Sequence, residues 1–271
     1  MDKTIIITGA TGAMGWEATL ELLRRGFRVI MAVRNEKKAL PLRKSLSDER
    51  RSRCEIRPLD LSDLDSVHHF ADEWREPLWG LFNNAGTLQR HHHISIDGYE
   101  LTLATNFIGP AVLSTLLAPK MEQGGVIVNT SSLSCYVSST HRDFFAPPSH
   151  YRQVKAYADS KMALTLWSQA FATALDGSVR VNCTDPGIVD TDILTMGRWC
   201  DRVADILFRP LCKRPSEGII PAIRALESNQ SNCYFRGRHK TIPYPFSNEK
   251  IAQELYHKIS EITQATSKTR F

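Results

Sequence analysis

Thr4-Ile-Ile-Ile-Thr-Gly-Ala-Thr-Gly-Ala-Met-Gly15 is the stretch on which the reading of this chain turns. Thr4 to Thr8 is short, β-branched and continuously apolar at its centre, the pattern of a strand buried on both faces. Glycines 9, 12 and 15 follow at once. From Met14 the pattern becomes helical, running to Arg25 with Gly26 as its C-cap. Strand, glycine turn and helix together set backbone N–H groups and a helix N-terminus against a pyrophosphate. Glycine is required where a side chain would collide with the phosphates. Such a turn carries little weight alone, so the rest of the chain decides its meaning.

Working outward, strand-like and helix-like segments alternate. Arg28 to Val33 reads as a second strand and Glu36 to Leu46 as a charged helix. Cys54 to Leu59 is a third strand, after which Ser62 is placed to cap a helix reaching about Trp74. Leu78 to Phe82 is a fourth, followed by a long helix from about Gly98 to Met121. Val126 to Thr130 is a fifth, the helix ending near Leu175 follows, and Val179 to Cys183 is a sixth. Pro110 and Pro221 fall inside helical pattern and predict a kink or local break. Repeated strand–helix units with near-continuous apolar strands mean an α/β fold. The expected architecture is a Rossmann-type doubly wound parallel sheet with helices on both faces. No repeat, low-complexity segment or linker interrupts it, so residues 1–271 read as one domain.

Two stretches break the rhythm. One, about 134–156, holds Phe144, Phe145, Pro147, Pro148, His141 and His150 without periodicity. The other, about 188–215, is rich in large apolar residues and reads either as amphipathic core helices or as part of an apolar pocket. Both follow strand ends, where open α/β sheets bind ligands.

The 271 residues, 42% hydrophobic with a net charge of +5, suit one well-buried domain. The basic residues are scattered, which speaks against a nucleic-acid face. Six cysteines without a C-x-x-C pair suggest neither zinc nor a disulfide framework. The adjacent His91, His92 and His93 point in different directions and have no spaced partner, so no metal is expected. An apolar strand beginning at position 4 leaves no room for a signal peptide, and no run approaches the roughly 18 apolar residues that a membrane-spanning helix needs. The expectation is a cytoplasmic protein.

The end of the second strand bears on the ribose of a dinucleotide. An acid there would accept bonds from the 2′ and 3′ hydroxyls of NAD, whereas arginine suits the 2′-phosphate of NADP. The chain reads Ala32-Val33-Arg34-Asn35 followed by Lys37 and Lys38, with no acid at the tip. NADP is therefore expected, with NAD admissible; the alternative is that Arg34 simply opens the next helix. Asp60 and Leu61, ending the third strand, are placed to meet the adenine, although Asp60 also suits the lead into a helix.

Tyr157-Ala-Asp-Ser-Lys161 places a phenol and an ammonium on one helix face. A nearby cation favours the phenolate, which makes Tyr157 a candidate acid/base for carbonyl and alcohol chemistry.

Thr8 to Gly15, Asn83-Asn-Ala-Gly86, Asn106, Thr130-Ser-Ser132, Tyr157 to Lys161, and Pro186-Gly187 with Thr191 stand in an order that resembles the short-chain dehydrogenase/reductase family. The resemblance spans nearly the whole chain and implies a role for each motif. Tyr157 would be the general acid in reduction and the base in oxidation. Lys161 would bind the nicotinamide ribose and lower the phenol's pKa. Ser132 would bond the substrate oxygen, with Ser131 as the competing candidate, and Asn106 would support a water relay to the lysine. Gly9, Thr11, Gly12, Ala13, Met14, Gly15, Arg34, Asn35, Asp60, Leu61, Asn84, Ala85 and Gly86 would line the adenosine and phosphate side. Tyr157, Lys161, Pro186, Gly187, Val189 and Thr191 would line the nicotinamide side. Relatives often pair through the helices after the fourth and fifth strands, so a homo-oligomer is a further expectation.

Ala13 stands where the usual turn has glycine. The literal Thr-Gly-x-x-Gly-x-x-Gly spacing resembles the extended branch, which includes sugar-nucleotide epimerases. Asn83 to Gly86 and the chain's length speak against that branch. Ser132 and Tyr157 lie 25 residues apart, roughly twice the usual separation, so 134–156 reads as an insertion beside the site. That insertion, with Asp97-Gly-Tyr-Glu100, Cys233-Tyr-Phe235 and a closing helix around Leu255, resembles the retinol dehydrogenase group. The function implied is interconversion of an apolar aldehyde or ketone with its alcohol. A dinucleotide-sensing protein without turnover is the alternative.

Overall fold

A computed structural model describes residues 3–141, 143–146, 150–190 and 212–268. Its sheet is built on β1 (Thr4–Thr8), which pairs in parallel with β2 (Arg28–Val33) on one side and β4 (Leu78–Asn83) on the other. β3 (Cys54–Pro58) extends the sheet beyond β2. Beyond β4 lie β5 (Met121–Thr130), β6 (Val179–Asp185), β7 (Cys233–Arg236) and an antiparallel β8 (Lys240–Ile242). The order is β3-β2-β1-β4-β5-β6-β7-β8. The chain reverses its direction of travel between β1 and β4, and open α/β sheets hold ligands at that switch point.

Strand alternation divides the core into two layers. Ile6, Ile30, Leu81 and Ile127 face one layer, while Ile5, Ile7, Met31, Phe82 and Val128 face the other. The first layer is closed by α4 (Leu64–Glu73), α5 (Leu101–Lys120), α6 (Gln153–Ala174) and α9 (Glu249–Lys268). The second is closed by α1 (Ala13–Arg24), by Ala39 of α2 (Glu36–Lys44) and by α8 (Ile220–Glu227). Two short helices, α3 (Asp48–Ser52) and α7 (Pro215–Gly218), complete the set among the described residues.

Several sequence expectations shift for identifiable reasons. Asp63, not Ser62, caps α4: its carboxylate accepts from Asp65 N and Ser66 N, while Ser62 bonds Asp60. α5 starts at Leu101 because Glu100 caps it, accepting from Thr102 N and Leu103 N at 2.9 and 2.8 Å. The break expected at Pro110 is a π-helical turn over Ala104–Ile108. Proline offers no N–H to the residue four back, and Gly109 N bonds Ala104 O, five residues earlier. Pro221 lies in the first turn of α8, where its missing donor costs nothing. The short β7 and β8 carry too few residues to show a pattern.

One expectation is corrected. Leu101–Lys120 is long and apolar enough by composition to cross a membrane. It is a core helix here, most of its surface packed under α4, α6 and α9. α9 lies along α6 and α5, burying Ala252, Leu255, Ile259 and Ile262 in the same layer. It thus covers the helices after the fourth and fifth strands, through which pairing was expected.

Candidate active site

A cleft of about 560 Å³ opens over the carboxyl ends of the strands, along the switch point. Its floor at one end is the glycine turn. Gly9 has φ +64°, and a Cβ there would stand 2.8 Å from Ala85 Cα; one on Gly15 would stand 2.3 Å from Gly9 O. Only glycine permits this close seat of the turn against β4. Thr8 Oγ1 accepts from Asn84 N at 3.1 Å and Ala85 N at 3.0 Å, and Asn84 Nδ2 donates to Thr8 O at 3.1 Å. These bonds lock turn and strand end together. Gly12 caps α1 without a side-chain bond, and the first turn of α1 holds no acid. The leading N–H groups of the helix at Ala13, Met14 and Gly15 therefore lack the usual internal acceptor, in a wall of the cleft. Ala13 fits as the first helical residue, so its departure from glycine leaves the turn intact. This cradle suits a dinucleotide pyrophosphate.

Thr11, Arg34, Asn35, Asp60, Leu61 and Gly86 line the same cleft, as expected. Arg34 is exposed and makes no ion pair or hydrogen bond among the described residues, so its guanidinium is free for an anion. Lys38 joins it in the wall. One turn into α2, Lys38 N donates to Asn35 O at 3.1 Å, which sets this lysine of the Lys37–Lys38 pair in the wall. Asp60 is partly committed, since its Oδ1 accepts from Ser62 N at 2.9 Å and from Ser62 Oγ at 2.6 Å.

At the other end stand Ser132, Tyr157, Lys161, Pro186, Gly187 and Val189. Ser132 caps a short 3-10 turn after β5, its hydroxyl accepting from Ser134 N at 3.1 Å, and it lines the cleft together with Tyr157. Ser131 also lines the cleft, but its hydroxyl is engaged elsewhere. Its hydroxyl is 2.7 Å from Thr165 Oγ1 and accepts from Tyr234 OH at 3.3 Å, all buried. The two serines are thereby distinguished. Lys161 is only 2% exposed, and its ammonium donates to Thr130 O at 2.8 Å, 5.9 Å from the Tyr157 ring centre.

The electrostatics correct one expectation. Burial pushes the Tyr157 phenol up to about 12, the polar Ser132 side chain opposing it only in part. Burial also pushes Lys161 down to about 8. In the protein without ligand, desolvation outweighs the neighbouring charge. Asp185, buried just behind, is likewise pushed up by burial.

Asn106 lies fully buried in the π turn of α5. Its Oδ1 accepts from Thr87 N at 2.7 Å; its Nδ2 donates to Thr87 O at 2.9 Å and Ser160 Oγ at 3.0 Å. Ser160 Oγ in turn donates to Tyr157 O at 2.8 Å. The Asn106 amide thus ties Thr87, next after Gly86, to the turn of α6 that carries Tyr157, and makes no hydrogen bond to Lys161. Asn83 is structural: its Nδ2 reaches Ser114 Oγ and Asn129 Oδ1 beneath the sheet.

The described part of the 134–156 insertion packs onto the substrate end. Phe145 lies 6.1 Å from both Phe107 and Tyr99, and Tyr151 OH donates to Gln89 O at 2.9 Å. His141 contacts Asn248, away from the cleft. His92 rests against the Tyr151 ring, and no group of three His, Cys, Asp or Glu side chains among the described residues is arranged to hold a metal. Thr191, Pro147, Pro148 and most of 188–215 lie outside the described residues. Gln89, Leu101, Thr105, Leu133 and Ile188 also line the cleft. They come from four chain segments with no shared motif, so only the fold brings them together.

The sequence profile of the short chain dehydrogenases matches residues 3–198. Human retinol dehydrogenase 13 is 31% identical over 94% of this chain and 82% of its own length. Human polyprenol dehydrogenase is 29% identical over 97% of this chain and 85% of its own. Among solved structures, an uncharacterised protein from Mycobacterium paratuberculosis superimposes with a TM-score of 0.75 at 27% identity, covering 97% of this chain and 93% of that one. A short chain dehydrogenase from Shigella flexneri, solved with NADP, shares the fold at a TM-score of 0.69 and 22% identity, covering 87% and 96%. The chain belongs to the short chain dehydrogenase family, on the side of its retinol dehydrogenase-like members. It is an NAD(P)-dependent oxidoreductase acting on CH–OH and C=O groups.

Proposed function

We propose that the protein is an NADP(H)-dependent oxidoreductase that interconverts an apolar aldehyde or ketone and its alcohol. The observation that carries the reading is one continuous cleft, with a free arginine and Lys38 at one end and the Ser132–Tyr157 pair above Lys161 at the other. Arg34 and Lys38 offer paired cations to a 2′-phosphate. The glycine turn and the start of α1 would hold the pyrophosphate, and the wall 186–189 would lie on the nicotinamide side. A bound nicotinamide supplies or accepts the hydride. In reduction, Ser132 and Tyr157 donate hydrogen bonds to the carbonyl oxygen as negative charge grows on it, and Tyr157 delivers its proton there. In oxidation the same phenol takes the proton from the alcohol. The Lys161 ammonium, 5.9 Å from the Tyr157 ring centre, favours the phenolate by its charge.

Leu101, Leu133, Ile188 and Val189 give the substrate end an apolar lining. That lining, with relatives named for retinol and polyprenol, supports a bulky apolar substrate. The match to short chain dehydrogenases and the relatives' names favour this reading over the extended branch.

The test is consumption of NADPH against NADH by purified protein over aldehydes and ketones of increasing apolar bulk, with Tyr157→Phe alongside. The expected result is NADPH-dependent turnover that rises with bulk and falls at least about a thousandfold in the variant. Cofactor binding without turnover of any compound would favour the sensing reading; near-normal turnover by the variant would remove Tyr157 from the chemistry.

A further inference from the structure

The wall of the cleft at 186–189 is held by a lysine that no motif singles out. β6 ends at Asp185, which is 1% exposed, and the chain then turns through Pro186 and Gly187, the latter at φ +77°. Asp185 Oδ1 accepts from Gly187 N at 2.8 Å, and its Oδ2 lies 3.5 Å from Arg236 Nε on β7. Lys213 closes the turn from the other side. Its Nζ donates to Pro186 O at 3.1 Å, and its side chain lies across Gly187, where a Cβ would stand 2.9 Å from that Nζ. The backbone joins too: Lys213 N donates to Ile188 O at 2.9 Å, and Asp190 N donates to Lys213 O at 3.0 Å. Five residues on, Gly218 of α7 presses against Val189, with Met14 of the glycine turn 3.5 Å from where its Cβ would be. The segment 213–218 is therefore a strap between the wall 186–189 and the start of α1.

We infer that Lys213 is a positioning residue: its ammonium pins the Pro186 carbonyl and so fixes the cleft wall that receives the nicotinamide end of the cofactor. The inference rests on the cofactor reading above. Arginine keeps a donor at this place, whereas methionine keeps the apolar stem and removes the donor. A carbonyl held by a charge-assisted bond moves little, and the wall it belongs to presents a set shape to the ring.

The experiment compares wild type, Lys213→Met and Lys213→Arg by fluorescence titration with two probes. One is NADPH; the other is adenosine 2′,5′-bisphosphate, which carries the adenine end and no nicotinamide. Lys213→Met is expected to bind NADPH about tenfold more weakly while binding the bisphosphate as wild type does. Lys213→Arg is expected to recover most of the NADPH affinity, and the thermal midpoints of all three to agree within about 2 °C. Turnover should fall in Lys213→Met through kcat, with the carbonyl substrate's KM little changed. Equal NADPH affinity in wild type and Lys213→Met, or equal weakening of both probes, overturns the inference alone. A wild-type protein that binds the bisphosphate and NADPH with no difference between them also overturns it. One that binds neither overturns the cofactor reading as well.

Discussion

Lys161→Met should stabilise the protein while abolishing its chemistry. Lys161 is 2% exposed, and its single acceptor is Thr130 O at 2.8 Å. Burial lowers its pKa from an ordinary 10.5 to about 8. That difference corresponds to about 3 kcal/mol of unfavourable charging inside the fold at neutral pH. Between pH 8 and 10.5 the unfolded chain binds more protons at this lysine than the folded one. Stability therefore rises with pH across that window, and the full penalty is present below it. Methionine cannot charge and fills a similar volume, so the variant escapes the penalty at the cost of leaving Thr130 O unpaired, about 1 kcal/mol. The net gain is about 2 kcal/mol at pH 7, or about 4 °C in thermal midpoint for a chain of this size. Urea unfolding followed by tryptophan fluorescence at pH 7 and pH 9.5 reads the free energy, and thermal melts at the same two pH values read the midpoint. The variant should lead at pH 7, and the gap should narrow at pH 9.5. The window stops near pH 10, where the raised Tyr157 phenol begins to act in the opposite sense. A variant less stable than wild type at pH 7, beside a wild type flat between the two pH values, would refute the reasoning.

Arg34→Ala should raise the KM for NADPH about tenfold and leave that for NADH unchanged, as steady-state kinetics with both cofactors would show. Ser132→Ala should lower kcat about a hundredfold or more, whereas Ser131→Ala should keep turnover and lose about 1–3 kcal/mol of stability by breaking its buried bonds to Thr165 and Tyr234. Ile259 of α9 is 1% exposed against α5 and α6; Ile259→Asp should detach that helix and drive self-association, visible by analytical ultracentrifugation. Wild-type cross-links joining α5 or α6 of two copies would contradict the covering role of α9.

The amino-acid sequence by itself determined the alternation of strands and helices, because each depends on local period. Ile5, Ile6 and Ile7 announce a strand buried on both sides, and glycines 9, 12 and 15 a tight turn, which requires glycine at 9 and 15. It also determined the chemical cast of Tyr157, Lys161 and Ser132, which short motifs carry at fixed spacing. Only the tertiary structure showed that the Ser131 hydroxyl is engaged by Thr165 and Tyr234 while that of Ser132 caps the turn after β5, since successive residues leaving a strand point to opposite sides. Likewise Asn106 became a clamp because Pro110 shifts the helical bonding by one residue, and Leu101–Lys120 a core helix because α9 closes over it. The direction of the Tyr157 and Lys161 pKa shifts was beyond sequence as well. Spacing shows that two groups are neighbours, but desolvation depends on everything packed around them, and that is assembled from segments far apart in the chain.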